Sequence, residues 1–324
     1  MPFHRRQLLQ AAIAAVVVSQ RSVVSAAGRP VRLLVGFPAG GGTDALARLL
    51  AAHLRSELGV DIVVDNRPGA GGQLAAQALK AAAPDGKTLF LSHDHTISIV
   101  PKVIRVPGFD PNVDFVPVAG VATFVNAFAV TAAHPARTFA DYEHWLKQQA
   151  PEQLAVGIPA PASTPEFLVN LLAQRNGVAL QPIPYRGSAP MIADLLGGQV
   201  PAGIGSVQDF MELHRTGRLR VVGVLGAQRQ PALPDVPTFS EMGVPGFEDP
   251  PFYGLYAPAG LPAELVARWE TAVQKVLQIP QVRQQMQDWG MVVDYMNHNR
   301  LRDVEAAYSQ TWGRIIAQLG YEPQ

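Results

Sequence analysis

Two sets of short apolar strands alternating with helical patterns, separated by a strand-rich stretch, constrain this chain more than any other feature. Residues 31–36 read as a strand, and residues 43–58 carry Leu46, Leu49, Leu50, Leu54 and Leu58 at helical spacing. A strand at 60–65, an alanine-rich helix at 71–83 and a strand at 87–92 follow, with turns at Arg67-Pro68-Gly69 and Pro84-Asp85-Gly86. Residues 115–131 have no helical period and are long enough to cross from one lobe to another. A second set then begins: strands at 154–157, 179–184 and 201–206, with helices at 165–174, 189–196 and 208–216. Residues 218–226 read as the strand that returns to the first lobe, and helical patterns at 262–277, 280–289 and 301–319 complete the chain. Such alternation predicts parallel sheets with helices on both faces. The expected architecture is α/β, with residues 28–123 and 226–324 in lobe 1, residues 124–225 in lobe 2, and a cleft between them that closes by hinge motion.

Composition narrows what such a cleft can serve. With 26 basic and 26 acidic residues the formal net charge is zero, and no Lys/Arg run offers a track for a phosphate backbone, so nucleic acid is not an expected partner. The absence of cysteine excludes thiolate metal sites, iron–sulfur clusters and a Cys nucleophile. At the start of the chain, His4-Arg5-Arg6 precedes an apolar run at residues 11–18 and small residues at 24–27, the order of a cleavable secretory signal spanning residues 1–27. The apolar run falls short of the ~20 residues needed to cross a bilayer. Arg5-Arg6-Gln7-Leu8-Leu9, with Arg21 after the apolar run, also fits a twin-arginine export signal.

Phe37, Pro38, Ala39, Gly40, Gly41, Gly42, Thr43 and Asp44 lie between the first strand and the first helix. Ligands bind at that end of strands in open α/β sheets. Successive glycines let several backbone N–H groups converge, and the helix N-terminus adds partial positive charge, so the natural guest is a carboxylate or phosphate. Neither the dinucleotide fingerprint nor the phosphate-loop pattern is matched, and Asp44 would repel a polyphosphate. Equally open on local grounds is a purely structural turn in which Thr43 caps the helix and Asp44 complements its dipole. If the glycine torsions make the site, Gly41→Val should weaken binding more than truncation of the Thr43 side chain, because it removes the torsion itself.

Val35-Gly36-Phe37-Pro38-Ala39-Gly40-Gly41-Gly42-Thr43-Asp44 is followed in order by Asp65-Asn66-Arg67-Pro68-Gly69-Ala70-Gly71-Gly72, Pro84-Asp85-Gly86 and Pro184-Tyr185-Arg186-Gly187. Asp194-Leu195-Leu196-Gly197-Gly198-Gln199-Val200, Leu233-Pro234-Asp235-Val236-Pro237-Thr238 and Tyr256-Ala257-Pro258-Ala259-Gly260 continue the series. This ordered set resembles the tripartite tricarboxylate transporter substrate-binding receptors, the Bug-type periplasmic proteins. The resemblance implies a two-lobed periplasmic-binding-protein (Venus flytrap, type II) fold with two interdomain crossings. It implies a monomeric receptor that captures a small organic acid in the periplasm and hands it to membrane permease subunits, without cofactor or catalysis. It also implies that ligand carboxylates are held by backbone N–H groups at one strand-to-helix loop on each lobe. Here those loops are residues 37–44 and 157–166, the latter with Ser163, Thr164 and Glu166. Glu166 stands where the family has His, and Gly205 precedes Ser206 where the family has Asp or Asn, so the far end of the ligand is not inherited from a relative.

Other chemistry is weaker. Ser92-His93-Asp94-His95-Thr96 ends the third strand, and strand alternation would put His93 and His95 on one face. His-x-His suits a metal, yet no third or fourth ligand is placed, and the lining of the cleft, with Ser92 and His93 facing it, is the favoured role. Ser206 lacks a nucleophile elbow and a base, leaving hydrolysis as a minor alternative to binding. A sensor that partners a receptor kinase is the remaining alternative. Phe252, Tyr253 and Tyr256 read as core or hinge packing.

Overall fold

The computed structural model describes residues 29–150 and 153–324, so the expected export signal lies outside the described residues. Two sheets are present. In the first, β1 (Val31–Val35) pairs in parallel with β2 (Ile62–Asn66) and β3 (Thr88–His93). Helix α1 (Gly42–Leu58) connects β1 to β2 and α2 (Gln73–Lys80) connects β2 to β3, the right arrangement for parallel neighbours. Strands β4 (Phe115–Thr123) and, later, β10 (Phe252–Pro258) and β11 (Val292–Asn297) add antiparallel pairs, giving the order β11-β4-β10-β3-β1-β2.

The second sheet follows the same plan. Strand β5 (Asn126–Thr131) begins it, and α3 (Phe139–Leu146) leads to β6 (Ala155–Ile158). Then come α4 (Thr164–Asn176), β7 (Gln181–Pro184), α5 (Ser188–Leu196), β8 (Ala202–Ser206), α6 (Val207–Arg215) and β9 (Leu219–Val224). Their order is β7-β6-β8-β5-β9, with β6 parallel to β7 and β8, and β5 antiparallel to both β8 and β9. Both sheets are therefore mixed where sequence alternation alone predicts parallel ones. The antiparallel members are those that arrive by crossing between lobes or follow a crossing.

Strand alternation puts apolar side chains on both faces of each sheet. On the first, Leu33, Val35, Leu89 and Leu91 pack beneath α1 and α7 (Ala263–Val276), while Leu34, Phe90 and Tyr256 face α2 and α9 (His298–Gln318). Helix α8 (Pro280–Asp288) leads into β11. On the second sheet, Phe128, Val156 and Ile204 fill one face, and Ala127, Ala129 and Val221 the other.

The chain crosses between sheets twice. Residues 115–131 do cross, as two strands joined by Phe124 and Val125. The return is not the strand at 218–226: β9 is the edge of the second sheet, because its register with β5 runs from Ala127–Val224 to Thr131–Leu219. Residues 226–250 stay with that sheet, where Phe239 and Val244 join the core around Phe128, and Leu233 and Val236 join Val221. The second crossing comes just before Phe252, and the Phe124 amide donates to the Pro251 carbonyl at 3.0 Å, tying the two crossings together. Strand β11 and helix α3 are elements that sequence patterning leaves unread. Helix α9 also reaches over to the second lobe, packing Trp312 against Phe167 with ring centroids 5.5 Å apart.

Candidate functional site

The carboxyl ends of β1 and β3 on one lobe, and of β6 and β8 on the other, face each other across a cavity. On the first lobe the wall is the 37–44 turn. Gly40 has φ +88, a torsion that favours glycine. Gly41 is the N-cap of α1 with ordinary extended torsions (φ −86, ψ 170), and a Cβ there would meet nothing closer than 3.8 Å. The expectation that Gly41 supplies the special torsion is therefore corrected. The demand for glycine falls on Gly40 by torsion and on Gly42 by space, since a Cβ at Gly42 would lie 2.4 Å from Gln208 Cγ and 2.9 Å from Asp209 Oδ1.

Thr43 is not the cap. It lies in the first turn of α1, with Oγ1 3.2 Å from the Tyr253 hydroxyl. Asp44 is buried and turned away from the cavity, accepting from the Gly40 amide at 3.0 Å, from Arg48 Nε at 2.9 Å and from Asn66 Nδ2 at 3.0 Å. Burial alone would raise its pKa, but the Arg48, Gly40 and Asn66 bonds overcome that and hold it below the ordinary carboxylate value.

On the second lobe, Pro159, Ala160, Ser163, Thr164 and Pro165 line the cavity. Ser163 Oγ donates to the Ala160 carbonyl at 2.6 Å, so its hydroxyl closes its own turn. Glu166 does likewise, accepting from the Ala162 amide at 2.6 Å, and is not part of the cavity wall. Ala162 is held at φ +50, one of two non-glycine residues with positive φ among the described residues. The Thr164 hydroxyl is buried with no hydrogen-bond partner among the described residues.

Of the residues expected at the site, Phe37, Pro38, Gly41, Thr43, His93, Ser163, Thr164 and Ser206 line the cavity. Ala39, Gly40, Asp44, Ser92 and Glu166 do not. Ser92 is buried within β3. His93 stacks on Phe37 with centroids 4.8 Å apart and places Nδ1 3.3 Å from Asp94 Oδ1, while Asp94 Oδ2 accepts from the Tyr308 hydroxyl at 2.9 Å. His93 ends β3 and His95 starts a turn of π-helix, so the two do not alternate along one strand. Burial, reinforced by His93, lowers His95 to about 4, and neither of its ring nitrogens has a partner among the described residues. No group of three His, Cys, Asp or Glu side chains suited to a metal exists among the described residues.

Residues that sequence reading missed close the cleft. Asp209, in the first turn of α6, accepts from the Gly42 amide at 2.7 Å through Oδ1 and from Ser188 Oγ at 2.6 Å through Oδ2. Burial raises its pKa, against the pull of Ser188, the Gly42 amide and His93. Beside it, Gln208 Nε2 donates to the Tyr253 hydroxyl at 2.5 Å, so Thr43, Tyr253 and Gln208 form a polar chain from lobe to lobe. The ionisable side chains on the cavity wall are His93, Asp94, His95 and Asp209, and none of the described residues lining it is Lys or Arg. Only an acidic residue three places after Ser206 hinted at Asp209, and such a residue equally serves a helix dipole.

Residues 46–321 match the family model described as the tripartite tricarboxylate transporter family receptor. The chain belongs to that family. Among its relatives, BugT of Bordetella pertussis is 31% identical over 299 residues, which is 90% of each chain. The solved periplasmic binding protein BugD superposes with a TM-score of 0.86 at 30% identity, covering 91% of this receptor and 99% of that chain. R. palustris Rpa4515, solved with adipate, also gives 0.86, at 32% identity and with the same coverage. The tripartite-transporter receptors and these neighbours are solute-binding proteins, not enzymes. The two mixed sheets joined by two crossings are the two-lobed type II binding-protein fold seen in them, and the receptor captures carboxylate solutes for a tripartite carboxylate transporter.

Proposed function

We propose that the receptor acts as an exported monomer that holds one small organic acid between the lobes. In this reading a carboxylate sits on the Gly41 and Thr43 amides, with Phe37, Pro38, His93, Ser163, Thr164 and Ser206 around it, and the closed form docks on the permease subunits of its transporter. The observation that carries the reading is the state of the glycine-rich turn. Gly40 donates to Asp44 and Gly42 to Asp209, whereas Gly41 and Thr43, both lining the cavity at the start of a helix, keep their amides out of those two bonds. Two amide bonds to a charged acceptor stabilise a guest by about 1.5–3 kcal/mol each, enough to replace an absent Arg or Lys. Because the fixed dipoles belong to the backbone, the site recognises the carboxylate and leaves selectivity to the opposite wall.

A thermal-shift screen over mono-, di- and tricarboxylates, amino acids and aromatic acids tests this. A ligand at 100 times its Kd stabilises the folded state by about 2.7 kcal/mol, several degrees for a chain of this size. The expected outcome is a concentration-dependent shift for one group of acids with no product formed. A flat screen across all carboxylates would count against the reading.

A further inference from the structure

We propose that the preferred guest is a planar aromatic acid with a single carboxylate, of the benzoate type, and that the receptor discriminates against both dicarboxylates and aliphatic acids. The inference rests on the reading that a carboxylate sits on the glycine-rich turn, and adds the chemical class of the rest of the guest.

The loop across the cleft from that turn is the first ground. The family resemblance places a second carboxylate cradle at residues 157–166, but in this chain its donors are few. Pro159, Pro161 and Pro165 have no N–H, the Ala162 amide donates to Glu166 at 2.6 Å, and the Ser163 hydroxyl donates to the Ala160 carbonyl. Asp44 folds back on α1 in the same way, yet Arg48 balances its charge. Glu166 has no cationic partner among the described residues, so it opposes a guest anion at the end of α4 that would otherwise attract one. Asp209 already brings one carboxylate to the Gly42 amide, and no described residue lining the cavity is Lys or Arg. A second charge on the guest would enter the closed cleft with no cation to meet it.

The second ground is a wall of rings that begins at the turn itself. Phe37, the first residue of the turn, stacks on His93 with ring centroids 4.8 Å apart, and Phe124 meets His93 edge-on at 6.1 Å. Tyr253, whose hydroxyl lies 3.2 Å from Thr43 Oγ1, backs them with its ring 4.8 Å from Phe124 and 5.6 Å from His93. Phe37, His93 and Phe124 line the cavity, and Pro159, Ala160 and Pro165 line it from the other lobe. A carboxylate on the Gly41 and Thr43 amides therefore sits where the ring surface starts, and the rest of the guest meets aromatic faces on one lobe and prolines on the other. A rigid, flat ring gains apolar contact with both and loses less conformational freedom on binding than an aliphatic chain.

Titration calorimetry on the mature chain, with acids of matched outline, tests the inference. 4-Methylbenzoate should bind more tightly than terephthalate, which has the same outline and a second charge, by about thirtyfold or more. Benzoate should exceed cyclohexanecarboxylate by about fivefold, the scale of a ring-on-ring contact, and should also exceed adipate. Phe37→Leu keeps apolar volume but removes the ring, and should bring benzoate and cyclohexanecarboxylate within about twofold of each other while the thermal melt stays cooperative; Phe124→Leu should do the same. Terephthalate binding as tightly as 4-methylbenzoate, adipate or cyclohexanecarboxylate binding as tightly as benzoate, or an aromatic preference that survives in both variants overturns the proposal and leaves carboxylate capture intact. Failure of every acid to bind overturns both.

Discussion

Three adjacent glycines in one turn should respond to alanine in three different ways, and Gly42 carries the sharpest consequence. A methyl at Gly42 would lie 2.4 Å from Gln208 Cγ and 2.9 Å from Asp209 Oδ1, both on the other lobe. These side chains can swing aside only by giving up the Gly42–Asp209 bond and the Gln208–Tyr253 bond. The charge-assisted member of that pair contributes about 1.5–3 kcal/mol and the neutral one about 1 kcal/mol, part of which is recovered by water. The closed form should lose about 2–3 kcal/mol, which weakens a ligand that binds by closure about 30- to 150-fold. The free protein should not be destabilised, because alanine favours a helix over glycine by up to about 1 kcal/mol. Gly41→Ala has ordinary torsions and open space, and affinity should stay within about threefold. Gly40→Ala must hold φ near +88 and should lower fold stability by about 1–2 kcal/mol. Titration calorimetry with the best acid from the screen, together with thermal melts, reads all three. If Gly42→Ala binds like the parent chain, or Gly41→Ala loses as much as Gly42→Ala, the closure contact is not where the argument puts it.

Two buried groups should give opposing pH profiles. Burial pushes Glu305 from 4.5 up to about 7, an effect the neighbouring Tyr256 hydroxyl only partly offsets, so between those values the folded chain binds the extra proton and stability falls as pH rises. His95 is pushed from 6.5 down to about 4, so over that range the unfolded chain binds more protons and stability rises with pH. Each effect is worth about 3 kcal/mol at its limit and they nearly cancel, so Glu305→Gln should show stability rising from pH 4 to 6.5 and His95→Asn should show it falling from pH 4.5 to 7. Identical melting profiles for the two variants would contradict this. Thr43→Ala removes one neutral hydrogen bond to Tyr253 and should weaken ligand binding by about 1 kcal/mol, roughly fivefold, with Thr43→Ser restoring most of it. Equal affinities for Thr43→Ala and Thr43→Ser would show that the hydroxyl plays no part.

The strand-to-helix units were legible because their signals are local: an apolar strand, a turn, then leucines at helical spacing, as in β1 and α1. Sheet membership was not. Strand β9 reads the same whether it closes the second sheet or returns to the first, and only its long-range register with β5 decides. Strand β11 pairs irregularly with β4, with a register shift between Val293 and Met296 that blurs its alternation. The acidic residues show the same limit at the site. Asp44, Glu166 and Asp209 each stand third in a helix that follows a strand. Asp44 and Glu166 fold back on the amide four residues before them, Gly40 and Ala162, whereas Asp209 reaches the other lobe. Sequence position cannot separate a carboxylate that closes its own turn from one that closes the cleft, which is why Asp44 and Glu166 were expected in the cleft and Asp209 was not.

The central claim is that a carboxylate rests on the amides of the glycine-rich turn, and amide proton shifts test it most directly. With glycine labelled by nitrogen-15, titration of a binding acid should move the Gly41 amide proton strongly downfield and saturate at one ligand per chain, as expected for a new bond to a charged acceptor. A ligand that binds with the Gly41 resonance unmoved would place the carboxylate elsewhere and contradict the account.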